Sequence, residues 1–367
     1  MGLKCGIVGL PNVGKSTIFN AITSGNAESS NYPFCTIDPN IGIKPLNDER
    51  LYKLADIVVN PDKITPTYVE FVDIAGLVKG ASSGEGLGNR FLSHVRTVDL
   101  IIQVIRVFKE ETVVHVEGEV NPVRDLEIIN TELALSDLEI IAKHMQKLEK
   151  NARSGDKTAK TNLEFLQNVS KILSDNGNLN SNDFSEEEKN ILKSLGIISI
   201  KPFLYILNVD EEFIPPSSSN EEINNITQIA YSKNISVIKL CARLEEELSK
   251  LEESDKKTFL SDYGLESSAL DIVAKESFKL LGLITFFTQG KQEVRAWEIK
   301  NGFKAPQAAG TIHSDFEKGF IRAEVISYDD FIRTGSEANA AKMGALRLEG
   351  KDYIVKDGDI MHFRFNV

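Results

Sequence analysis

At 367 residues the chain is long enough for two or three domains, and its 41% hydrophobic and 26% charged content is that of an ordinary soluble protein. A net charge of −12 excludes a protein that coats nucleic acid through a general basic field, and three distant cysteines, Cys5, Cys35 and Cys241, suggest neither a disulfide framework nor a zinc site. No apolar run reaches membrane-spanning length and the first residues carry no signal-peptide pattern, so a cytoplasmic protein is expected.

The opening alternates strand and helix as a parallel α/β domain requires. "LKCGIVGL" is an apolar strand, a glycine-rich turn follows, and "KSTIFNAITSG" reads as a helix ending at Gly25. "TYVEFVDIAG" is a second strand and "VDLIIQVIRVF" a third, apolar enough to be buried on both faces. After an interruption come "KPFLYILNVD" and "NISVIKLCA", two more strands of the same kind. Ligands of such sheets bind at the carboxyl ends of the strands.

The interruption repeats Leu126, Leu133 and Ile140 every seven residues, and a second amphipathic helix fits "KTAKTNLEFLQNVSKILSD". "SEEEKNILKSLG" opens with a capping box at Ser185 and Glu188. A helical hairpin inserted between two strands is therefore expected, either covering the sheet or reaching for a partner. After Leu281 the pattern becomes β-rich: "LITFFTQGKQEVRAWEIKNG" holds two strands around a Gly-Lys turn, "KGFIRAEVISYDDFI" a strand and a helix start, and "KDYIVKDGDIMHFRFNV" a closing hairpin. This last part balances 12 basic against 12 acidic residues, so the whole net charge lies before it and it is the better candidate for touching RNA. The expected domains are an α/β domain in two parts, 1–122 and 200–281, a helical insertion at 123–199 and an α+β domain at 282–367.

Gly9-Leu10-Pro11-Asn12-Val13-Gly14-Lys15-Ser16 matches the phosphate-loop pattern between a strand and a helix. Its backbone N–H groups would face phosphates, Lys15 add a point charge and Ser16 a hydroxyl for Mg²⁺. Downstream, "DIAG" offers Asp73 for the Mg²⁺ and the Gly76 N–H for a γ-phosphate, and "NYPFCTIDP" offers Thr36 as a second hydroxyl ligand. The base-reading motif Asn-Lys-x-Asp stands here as Asn208-Val209-Asp210-Glu211. Valine replaces the lysine that lies along the ring, and a longer glutamate replaces the aspartate that accepts two guanine N–H groups. ATP is then at least as good a ligand as GTP.

Together "GLPNVGKST", "NYPFCTIDP", "DIAGLVKGASSGEGLGNRFLSHVR", "NPVRDLEIINTELALSDLE", "NVDE" and "CARLE" resemble the Obg-like ATPase family, known in bacteria as YchF, within the translation-factor class of P-loop GTPases. The resemblance covers essentially the whole chain. It implies a Rossmann-like P-loop G domain, a coiled-coil insertion, a C-terminal TGS domain of β-grasp fold, Mg²⁺-dependent hydrolysis of ATP with GTP accepted, and association with the ribosome, on the large subunit; nothing in the sequence demands more than a monomer. It implies further that nucleotide is held by Asn12, Val13, Gly14, Lys15, Ser16, Thr17 and Gly76, that Asn208, Val209 and Glu211 lie at the base, and that Cys241 and Ala242 of "CARLE" give it backbone contacts. K⁺ enters as a second ion that Asn12 would help to hold.

Where Ras-like GTPases carry a water-positioning glutamine, this chain has Leu77, and the resemblance assigns the chemistry instead to His115 on a nearby loop, with Lys15 as the other catalytic group. Two competing readings stand beside the ATPase switch: a conventional GTPase, and a nucleotide-sensing adaptor in which bound ATP orders loops and turnover is incidental.

Overall fold

The computed structural model describes residues 3–24, 40–58, 61–74, 76, 87–110 and 112–366. In chain order the described elements are β1 (Lys4–Val8), α1 (Lys15–Ser24), β2 (Ile41–Pro45), α2 (Glu49–Val58), β3 (Ile64–Thr65), β4 (Tyr68–Asp73), α3 (Leu87–Thr97), β5 (Leu100–Arg106), α4 (Pro122–Arg153), α5 (Lys157–Asn176) and α6 (Glu186–Ser194). There follow β6 (Phe203–Asn208), α7 (Glu221–Ser232), β7 (Ser236–Leu240), α8 (Ala242–Leu248), α9 (Glu253–Asp262), α10 (Ala269–Leu280), β8 (Leu283–Thr288) and β9 (Val294–Lys300). The last are α11 (Ala305–Ile312), α12 (Ser314–Lys318), β10 (Phe320–Ser327), α13 (Tyr328–Thr334), α14 (Glu337–Lys342), β11 (Arg347–Glu349) and β12 (Asp359–Phe365). They gather into two compact units, Met1–Ile43 with Glu70–Val273, and Lys44–Val69 with Ala274–Val367.

The first unit is built on a sheet of order β2-β4-β1-β5-β6-β7, in which β4, β1, β5, β6 and β7 run parallel. Every residue of β5 is buried, which explains its near-continuous apolar run. Two polar side chains interrupt it, Gln103 and Arg106, and both are buried. The sheet's carboxyl edge thus gathers the loops after β1, β4, β5, β6 and β7 on one side, where a ligand is expected.

Between β5 and β6 the chain makes two long helices. Asn121 accepts the Arg124 N–H and Pro122 occupies the first turn, which starts α4; Gly177, at φ 70°, ends α5 in the left-handed conformation that favours glycine. The Ser185–Glu188 capping box opens α6 with both of its hydrogen bonds formed. Ile141 of α4, Leu166, Val169 and Leu173 of α5 and Leu192 of α6 share one core. Asp137, wholly buried in α4, accepts the backbone N–H groups of Ile198 and Ser199 and the guanidinium of Arg96, tying the returning chain to the helix. Burial pushes its carboxyl above the usual range, with the backbone donors working against that.

The second unit carries a mixed sheet of order β11-β10-β12-β8-β9-β3. Phe286, Phe320, Met361 and Phe363 pack with Ala305, Ala308 and Ala309 of α11. Leu51 and Leu54 of α2 pack with Phe287, Ile326 and Phe331. The segment 44–69, read from sequence as part of the α/β domain, thus supplies a helix and an edge strand to the C-terminal sheet. The expected closing hairpin is absent. Its Asp357-Gly358 turn exists, but β12 lies between β10 and β8, and the arm before the turn bonds elsewhere, Ala305 N to Tyr353 O at 2.8 Å and Val355 N to Phe303 O at 3.0 Å. Asp359 causes this by accepting the Tyr353 hydroxyl at 2.7 Å and the Lys356 N–H at 2.9 Å, which folds the arm into a compact turn.

Candidate functional site

The loop between β1 and α1 bends through two left-handed residues, Asn12 at φ 62° and Gly14 at φ 96°. Gly14 is required twice over, because a Cβ there would also stand 2.2 Å from Asn208 Nδ2. Lys15 is buried and folds back over the loop, its ammonium donating to the carbonyls of Gly9 at 3.2 Å and Leu10 at 3.1 Å. Burial lowers its pKa, and the charge of Asp73 at the end of β4 works in the opposite direction. Burial in turn raises the Asp73 pKa, with Lys15 opposing. Asp73 Oδ1 is buried with no hydrogen-bond partner among the described residues. An orphaned carboxylate oxygen next to a lysine has the donor chemistry of a Mg²⁺ site completed by phosphate oxygens and hydroxyls, so the residues fit that ion. Ser16 is exposed at the head of α1, and Gly76 approaches so closely that a Cβ on it would lie 3.1 Å from Lys15 Nζ.

On the base side, Asn208 is buried at the end of β6 and acts as a strut. Its Nδ2 donates to Val13 O at 2.9 Å and its Oδ1 accepts the Ala242 N–H at 3.0 Å, joining the phosphate loop to the turn after β7. Val209 is 1% exposed and packs in the core, with its N–H on Leu240 O at 2.9 Å. Its side chain is therefore turned into the protein and not towards a base. Glu211 accepts a short hydrogen bond from the Tyr263 hydroxyl, which pushes that phenol up to about 12. Cys241 is half-buried before α8, and burial raises its thiol pKa.

The described residues of the loop after β5 are tied down at several points. Arg106, 1% exposed, donates to the carbonyls of Phe108 at 3.3 Å, Glu110 at 3.1 Å and Val113 at 3.0 Å, with its guanidinium 4.3 Å from the Phe108 ring centre. Val107 and Phe108 N–H reach Asn208 O, and the Lys109 N–H reaches Asp210. Asn12 Nδ2 donates to Val114 O at 3.1 Å, a direct link from the phosphate loop. His115 is 5% exposed; its Nδ1 accepts the Glu117 N–H at 3.1 Å and its Nε2 lies 2.7 Å from Asp125 Oδ2. An Nδ1 that accepts leaves the hydrogen on Nε2, so Nε2 donates to Asp125. Arg124 holds the other Asp125 oxygen through Nε at 3.2 Å and Nη2 at 3.0 Å.

This arrangement has known counterparts. Residues 4–143 match a family model described as a 50S ribosome-binding GTPase, and residues 283–366 match the YchF-GTPase_C model, described as a protein of unknown function. The chain is 51% identical to "Ribosome-binding ATPase YchF" of Bacillus subtilis (strain 168) and 50% identical to the protein of that name from Pasteurella multocida (strain Pm70), over 367 residues and 100% of each chain. The solved structure of the Schizosaccharomyces pombe YchF GTPase superimposes with a TM-score of 0.89 at 38% identity, covering 99% of this chain and 98% of that one. The chain belongs to the YchF family.

Of the residues picked out by sequence, the YchF fold brings Asn12 to Thr17, Asp73, Gly76, Asn208, Cys241 and Ala242 to the carboxyl edge of the first sheet. Val209 is in the core and His115 is held against α4. Thr36 and Leu77 lie outside the described residues. Sequence reasoning passed over Arg106, Asp125 and the strut role of Asn208. The signal for the first was present: an arginine inside an otherwise apolar, doubly buried strand must have a reason for being there.

Proposed function

We propose that this chain is a Mg²⁺-dependent P-loop ATPase of the cytoplasm that binds the ribosome through the large subunit and couples slow hydrolysis of ATP to a switch in translation. The observation that carries the ATPase reading is the pair Lys15 and Asp73, a buried lysine on carbonyls and a buried carboxylate oxygen without a partner among the described residues, which a Mg²⁺-bound triphosphate would satisfy together. Ser16, Thr36 and Asp73 would hold the ion. Its contribution is to neutralise charge on the phosphates. The N–H groups of Val13, Gly14, Ser16 and Thr17 bind and orient the phosphates, Lys15 leaves its two carbonyls to compensate their charge, and Gly76 offers its N–H. K⁺ beside the phosphates would use Asn12 Oδ1, since Asn12 Nδ2 already serves Val114.

ATP is preferred, or at least equal to GTP, because the carboxylate that replaces the guanine-reading aspartate, Glu211, already has a donor in Tyr263. The turn at Cys241 and Ala242 supplies backbone groups to the base. The α4–α5 pair is read as a coiled-coil insertion and the C-terminal part as a TGS domain of β-grasp fold, with limits at 123–199 and 282–367. His115 is read as the group that orients water or offsets developing charge once its loop is rearranged.

Calorimetric titration with ATP and GTP tests the ligand, and tenfold tighter GTP would overturn it. Turnover with and without ribosomes tests the switch. The engaged state of His115 also suits an adaptor whose turnover is incidental; ribosome stimulation favours the ATPase switch, and negligible turnover in both conditions favours the adaptor.

A further inference from the structure

Both ring nitrogens of His115 are engaged by protein groups, and the two bonds differ in kind. The Glu117 N–H belongs to the same turn, two residues on, and moves with the ring. Asp125 belongs to α4, a separate element, is 3% exposed and is itself fixed by Arg124, which also donates to Glu119 O at 2.7 Å. With the Asp125 bond intact the ring is 5% exposed and presents no nitrogen to water or phosphate. The neighbouring residue stands at the phosphate loop, because Val114 O accepts from Asn12 and the Val114 side chain is 74% exposed. The 114–115 segment thus joins the phosphate loop on one side to the held ring on the other.

We infer that Asp125 is a positioning residue that holds His115 in reserve, a latch whose release from the ring is required before the imidazole serves hydrolysis. The inference rests on the reading of His115 as the group that serves the chemistry. The latch lowers basal turnover by keeping the competent loop state a minority, and a partner that favours the released loop raises turnover by as much as it shifts that population. Arg124 contributes by fixing the carboxylate on α4, so the latch has a rigid side and a movable side.

The test compares the full-length wild type with Asp125→Asn, His115→Ala and the double variant, measuring steady-state ATP turnover without ribosomes and ATP affinity by calorimetry. Asp125→Asn is expected to raise basal turnover by roughly threefold or more, with affinity within about twofold, and the gain should vanish in the double variant. Basal turnover that falls or stays level in Asp125→Asn overturns the latch, while a fall in His115→Ala alone would leave the reading of His115 standing. A gain that persists in the double variant also overturns the latch, because the effect then does not pass through the ring. If Asp125→Asn does not fold, nitrogen-15 NMR of the wild-type histidines decides: the latched ring gives the neutral Nε2–H pattern in the nucleotide-free protein, and an Nδ1–H pattern overturns the proposal.

Discussion

The phosphate loop and the loop carrying His115 follow adjacent strands, β1 and β5, and are finished in opposite ways. Around the first, Lys15 makes do with two carbonyls and Asp73 Oδ1 has no partner among the described residues, and burial opposes charge on both groups. Around the second, the Arg106 guanidinium, the Asn208 carbonyl, Asp210, Asn12 and Asp125 each engage a group of the loop. A site with unmet polar groups is prepared for a charged ligand and gains when one arrives. A loop with its groups met must lose bonds before it can do anything else. Binding and chemistry are therefore expected to respond to different substitutions.

The largest separation should come from Lys15→Ala. It removes the cation that the phosphates would recruit and leaves Asp73 without its nearby opposite charge, so ATP affinity should fall by roughly a hundredfold or more, about 2.7 kcal/mol. Affinity within a few fold of wild type, measured by calorimetry, would break the assignment of the phosphate side. Asn208→Ala comes next. It leaves Val13 O and the Ala242 N–H without their partner in a buried setting, and should cost about 2 kcal/mol of stability by urea unfolding. ATP affinity should weaken with it, since the strut sets the spacing between the phosphate loop and the turn after β7.

His115→Ala sharpens the contrast. Turnover should drop roughly tenfold, about 1.4 kcal/mol of barrier, while ATP affinity stays within about threefold, because the ring nitrogens are bonded to Asp125 and Glu117 and not to the phosphate loop. Turnover and affinity falling together would mean that the two loops are one structural unit and that the comparison fails.

The contrast was only half visible in the sequence. The glycine spacing, the apolar strand before it and the helix after it are local signals, and the structure has that loop between β1 and α1, with Lys15 at the head of α1 and Asp73 at the end of β4. Several bonds that fix the other loop join residues far apart in sequence: Asn12 with Val114, Asn208 with Val107 and Phe108, and Asp210 with Lys109. No periodicity records such pairings. Val209 misleads for a related reason, since its position in a motif suggests a side chain at the base while its position one residue past a buried strand sends it into the core. At the fold level, β3 is two residues long and pairs with β9, so nothing local marks 44–69 as belonging with the C-terminal sheet. The helix cap at Ser185 was legible because its partner lies three residues away.

The smallest effect, and the one that tests the phosphate side most directly, is Asp73→Asn in the ligand-free protein. The Asp73 carboxyl is raised by burial despite the opposing pull of Lys15. A carboxyl whose pKa is higher folded than unfolded binds its proton more tightly in the folded state. The stability this gives is fully present below the unfolded value, near 4, and is lost as pH rises through the folded value. At neutral pH the ionised group is thus a cost that the fold bears in the absence of ligand. Asparagine keeps the shape and removes the charge, so the melting temperature of the ligand-free variant at pH 7.5 should rise by about 2 °C, and the difference from wild type should disappear as pH is lowered through the folded value. The same substitution should abolish the extra stabilisation that Mg²⁺ adds to ATP binding, because the orphaned oxygen is the group the ion would use. A variant that melts lower than wild type without ligand would mean that Asp73 is a structural partner of Lys15, and that the phosphate side is as fully satisfied as the loop beside it.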